Sequence, residues 1–87
     1  MNSLTINNVP MSPKLAAELL AIAPDVPPVM TDDAVMAAIG LVLDAHDGDL
    51  TMCLAELACA YGDHPDEVAA RMSRAVVYTS RLLNVEG

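Results

Sequence analysis

An 87-residue chain is one domain by length, and a domain that short hides only about 60% of the surface its unfolded form exposes; yet 54% of its residues are hydrophobic and only 18% charged. A net charge of −8 repels nucleic-acid phosphate at long range, and with Phe and Trp absent and two tyrosines present, a base-stacking site has almost nothing to stack on. The surplus of aliphatic side chains over sheltered volume predicts a surface shared with a partner.

Residues 1–11 are polar and rich in Asn, with neither helical periodicity nor clear strand alternation, and are expected to form a flexible or extended arm ahead of a single helical domain over 12–87. They lack the charged start and apolar core of a signal peptide. No apolar run nears the roughly 20 residues that span a bilayer, which predicts a cytoplasmic protein.

Ser12 is placed to cap a first helix with Pro13 at its first position, predicted over 13–23 and stopped by Pro24. Pro24, Pro27 and Pro28 make the next stretch a stiff connector. Thr31 or Asp32 caps a second helix, 32–46, whose start carries Asp32 and Asp33 and whose end is set by Asp47-Gly48. This helix is apolar nearly all round. It is expected at the centre of a bundle or in a subunit interface, with Val35, Met36, Ile39, Gly40 and Leu43 as the candidate residues and Gly40 kept for the close approach of another helix.

Asp49 or Thr51 caps a third helix, 50–61, with Leu50, Leu54, Leu57 and Tyr61 as its stripe and Gly62 as its end. Its cysteines, Cys53 and Cys59, point about 120° apart with about 9 Å of rise between them, too far for a mutual disulfide. Both are read as buried, reduced thiols. Pro65 opens a fourth helix, 65–83, with Val68, Met72, Ala75, Thr79 and Leu82 facing the core. A second face carries Arg71, Arg74, Tyr78 and Arg81, a candidate partner-binding stripe, or else a solvated face, or a set that neutralises the acidic helices of this chain or of a second subunit.

Charge is unevenly spread. No Lys or Arg lies between Lys14 and Arg71, while eleven of the twelve acids do, so Asp44, Asp47, Asp49, Glu56, Asp63, Asp66 and Glu67 are expected on an acidic surface that steers basic partners inward.

Residues 54–72, with Ala58, Gly62 and Val68 at their spacing, resemble the helix-turn-helix of transcription regulators. That resemblance implies duplex DNA binding by the helix that follows the turn. Two features depart from the pattern: Arg71 stands where an apolar residue belongs, and Asp66 and Glu67 would meet phosphate at the start of the recognition helix. Asp47, Asp49 and Glu56 fall at the third, fifth and twelfth places of a calcium-loop frame, but the first place is Ala45 and the sixth Leu50. His46, Cys53, Cys59 and His64 lack zinc-ligand spacing, and no oxyanion donor or Gly-rich loop accompanies a Cys59–His64 pair.

The expectation is therefore an all-α, compact four-helix bundle, a helical homodimer without catalytic site, metal, cofactor or small-molecule substrate, acting through protein contact. In length and charge the chain is also similar to inhibitors from phages and mobile elements, among them DNA mimics and anti-restriction and anti-CRISPR proteins. That resemblance implies a basic, nucleic-acid-handling partner.

Overall fold

The computed structural model describes residues 4–24 and 26–83. Positions 1–3 of the expected arm, Asp25 of the connector and Glu86 lie outside the described residues. In place of an arm, the described N-terminal residues form a hairpin: β1 (Leu4–Ile6) pairs antiparallel with β2 (Val9–Met11), Ile6 opposite Val9. Asn7 and Asn8 make its two-residue turn, both in the left-handed region at φ 54° and 67°. That is the backbone a tight hairpin of right-twisted strands requires, and asparagine tolerates it better than most residues. Ile6 and Met11 drop into the core while Thr5 and Pro10 face solvent.

The helices are α1 (Pro13–Ala21), α2 (Asp32–Ala45), α3 (Leu50–Asp63) and α4 (Pro65–Leu82), so the molecule is mostly helical with a small two-stranded sheet rather than purely α. Ser12 caps α1 by accepting from the Leu15 N–H at 3.1 Å. The helix ends two residues before the expected 23, because Pro24 disfavours helical backbone at Ala23. The Ile22 and Ala23 N–H groups instead close tight turns on the Leu19 and Leu20 carbonyls.

Thr31, not Asp32, caps α2, accepting from the Ala34 N–H at 3.1 Å. At its other end Gly48 N–H reaches the Leu43 carbonyl and Asp47 N–H the Asp44 carbonyl, with Asp47 at φ 55° and Gly48 at φ 73°. This is a Schellman close, and it satisfies carbonyls the helix would otherwise leave bare. Asp49 caps α3 through the Met52 N–H.

The third helix runs through Gly62 instead of ending there. Pro65 does the stopping: it keeps His64 out of the helical region, at φ −139°, ψ 66°, and this one residue is both the C-cap of α3 and the N-cap of α4.

The central helix is α1, not α2. Ala16, Ala17, Leu19, Leu20 and Ala21 are all buried, and α1 packs on α2, α3, α4 and β2. Its alanines permit close approach, and its leucines fill the space between the other helices. On α2 only Val35, Ile39, Val42 and Leu43 are buried, and Leu41 is 65% exposed. The inward row of α3 is Cys53 and Leu57, with Leu50 and Ala60 half-buried, which turns Leu54 and Tyr61 out to solvent. Gly40 meets the hairpin rather than a helix. A Cβ there would lie 3.7 Å from the Asn7 side chain and 3.9 Å from Ile6, ordinary contacts, so close approach does not require a glycine. Asn7 docks the turn by donating from Nδ2 to the Gly40 carbonyl and to Asp44 Oδ1, both at 3.1 Å.

Candidate protein interaction surface

The α4 stripe is largely committed inside the chain. Arg71 Nη2 donates to the Ala23 carbonyl at 2.5 Å, Arg74 Nε to the Val26 carbonyl at 2.9 Å and Tyr78 Oη to the Pro27 carbonyl at 2.7 Å. The connector cannot pair its carbonyls in regular structure, because Pro24, Pro27 and Pro28 have no N–H to offer in return. Residues 71, 74 and 78, one helical row, meet that need. They bond carbonyl groups, not the acidic helices expected as the alternative to a partner. Arg81 stays exposed, its guanidinium carbon 5.8 Å from the Tyr78 ring centroid.

The residues expected to form a core or oligomer interface divide the same way. Val35, Ile39 and Leu43 lie in the core of the chain itself, and Met36 and Gly40 are half-buried beside it. The acidic set is at the surface throughout: Asp44, Asp47, Asp49, Glu56, Asp63, Asp66 and Glu67 are all exposed. Two members of the calcium-loop frame have other work, Asp49 as a cap and Glu56 with His46. Among the described residues no group of three or more His, Cys, Asp or Glu is placed to hold a metal ion, and no helix is long and apolar enough to cross a membrane. Cys53 is buried, but Cys59 is exposed, against the reading of both as buried. Burial, aided by the nearby charges of Glu56 and Asp49, pushes the Cys53 thiol up and keeps it protonated.

A row not singled out in the sequence is only partly covered by the rest of the chain, with Ala38 packed against the core and Leu41 bare. Ala34, Ala38, Leu41 and Ala45 follow at steps of four, three and four along α2, the first two half-buried and the last two exposed. Leu41 and Ala45 also form one wall of an open cleft of about 590 Å³, completed by Ile22 and Pro24 after α1, Val42, His46 and Glu56. A smaller groove of about 360 Å³ lies between α1 and α4, where Val76 is 46% exposed beside Met72, Ala17 and Pro13. Elsewhere Val29, Met52 and Val77 are also bare. Scattered apolar residues are ordinary on a protein surface; a continuous row beside a cleft is not.

His46 closes one end of the cleft. Its Nδ1 lies 2.8 Å from the Val42 carbonyl and its Nε2 2.5 Å from Glu56 Oε1, which ties the end of α2 to α3. Both ring nitrogens face acceptors, so both must donate, and only the protonated imidazole does so. The Val42 carbonyl first, then the Glu56 hydrogen bond, therefore raise the His46 pKa above the ordinary 6.5. A raised folded-state pKa gives stability that is fully present below the unfolded value and lost as pH rises through the folded one. Wild type should accordingly lose melting temperature as pH rises above 6.5, and His46→Ala should lose less. A nuclear magnetic resonance titration should give His46 a midpoint above 6.5; a midpoint at or below that value contradicts the two-acceptor geometry.

No single residue forecasts this pairing. His46 and Glu56 are ten apart and meet only because the Asp47-Gly48 close folds α3 back beside α2.

Comparison of the chain with protein-family models, with curated proteins and with solved structures gave no match in any of the three.

Proposed function

We propose that this chain is a small acidic, non-enzymatic interaction protein that works by docking the outer row of α2 and the adjoining cleft against another protein surface. The observation that carries the reading is Leu41, a large aliphatic side chain 65% exposed in the middle of α2, where with Ala45 it lines the open cleft. Large apolar side chains held in water at such a place are what an interface core needs. The cleft offers little to an enzyme: its polar groups, His46 and Glu56, are bonded to each other.

Self-association and the inhibitor-like capture of a basic protein are two forms of the same contact. The reading as a DNA-binding regulator draws less support, since Arg71 and Arg74 of its basic face hold the connector.

The test is an affinity purification from the native cell with wild-type chain and Leu41→Gln as parallel baits. The exposed site leaves the variant folded, as circular dichroism will verify. One protein, or a second copy, retained by wild type and lost by Leu41→Gln is the expected result. Identical sets from both baits remove the α2 face from the function.

A further inference from the structure

We infer that the partner seated in the α2 cleft is a cationic amphipathic helix of a different protein, rather than a second copy of this chain. The inference rests on the contact reading above and adds to it the chemistry of the occupant. Three observations carry it.

The first is the charge of the rim. The cleft walls are aliphatic, Leu41, Val42, Ala45 and Ile22, and the charged groups at its end are Glu56 and His46. The turn that closes this end carries Asp47 and Asp49, both exposed, and Asp49 lies near enough to act on His46. No Lys or Arg occurs between Lys14 and Arg71, so none belongs to α2 or α3; the cations at the connector, Arg71 and Arg74, reach it from α4 and are bonded to its carbonyls. Glu56 is paired with His46, so the acidic excess at this end comes from the exposed Asp47 and Asp49 of the turn, and an apolar slot beside them is complementary to a helix that presents aliphatic anchors flanked by Lys or Arg.

The second is the shape of the row. Its steps of four, three and four are those at which one helix receives the anchors of another. Ala45, exposed in the cleft wall, is small enough to let a partner backbone come close, Leu41 stands out one turn before it, and Ala34 and Ala38 are half-buried.

The third concerns what a second copy could offer. Each copy carries −8, so two copies repel. Two of the cations that could offset this, Arg71 and Arg74, are engaged on connector carbonyls, and Lys14, though exposed, stands beside Glu18 at 3.8 Å. Arg81 is left on each copy, resting against Tyr78.

The experiment is a titration of the full-length chain, labelled with ¹⁵N, with a synthetic amphipathic Leu/Lys helix of about 18 residues, or five turns. A peptide of the same composition in scrambled order serves as control, and light scattering is recorded on the chain alone. The expected result is a monomer whose amide shifts concentrate at Leu41, Ala45, His46 and Glu56. Affinity should drop about tenfold for the scrambled peptide and about tenfold for Leu41→Gln, and should weaken as salt is added.

Shifts spread equally over Asp32, Asp33, Asp66 and Glu67, with the scrambled peptide binding as well, would mean bulk charge alone and overturn the inference. A dimer that Leu41→Gln dissolves would also overturn it, because a second copy then covers the face, while leaving the contact reading intact. Baits that retain identical proteins would remove that reading as well, and the two failures are thereby told apart.

Discussion

Leu20→Ala is expected to lower the free energy of unfolding by about 2–5 kcal/mol, and Leu41→Ala by less than about 1 kcal/mol. Both are leucines in the middle of apolar helices, and composition alone ranks α2 as the more buried of the two. Leu20 has no exposed surface, however, and lies on the helix that touches all the others, whereas Leu41 is 65% exposed. Truncating Leu20 removes its burial and opens a cavity in the core. At Leu41 there is little burial to lose. Urea unfolding followed by the helical circular dichroism signal measures both. Equal losses, or a larger one at Leu41, would contradict the placing of α1 at the centre.

The connector clamp gives the second large effect. Arg71→Met keeps most of the aliphatic stem but strands the Ala23 carbonyl, and a half-buried acceptor left bare costs about 1–3 kcal/mol. Arg74→Met does the same to the Val26 carbonyl. Tyr78→Phe removes only the hydroxyl that donates to Pro27 and is expected to cost about 1 kcal/mol. All three hold one proline-rich segment, so once the first contact is lost the segment loosens and the others count for less. The double variant Arg71→Met with Arg74→Met should therefore lose less than the sum of the two single changes. Variants as stable as wild type in the same urea series would reduce the stripe to exposed contacts without structural weight.

The helices were legible because their punctuation is local. Ser12, Thr31, Asp49 and Pro65 each act within a turn of their own position, and the Asp47-Gly48 close needs only its own backbone. The hairpin was missed because three-residue strands carry too little alternation to register, although Asn7-Asn8 between two short runs was a usable signal. Gly62 misled because glycine after a helical row commonly marks an end; here the constraint sits three residues later, in Pro65.

The α4 stripe was visible as a pattern, but its destination was not. Whether arginines face a partner or their own connector depends on where α1 leaves its chain, a tertiary fact. The surplus of aliphatic residues was legible as a number and silent about place. Much of it went into α1 and the inner half of α2, and the remainder surfaced at Val29, Leu41, Met52, Leu54, Val76 and Val77. Likewise the two rows of α2 cannot be ranked from sequence, since both are apolar and only tertiary packing, on α1, α3, α4 and the hairpin, selects between them.

The claim on which the functional account depends is that the outer row of α2 and the cleft beside it are where a partner sits. Hydrogen exchange across α2 and α3, compared between the chain alone and the complex retained by the wild-type bait, tests this most directly. The account expects slowed exchange from residue 38 to 56, centred on Leu41 and His46, with the Val76–Val77 surface of α4 unchanged. Slowing confined to α4, or none along α2, would contradict it.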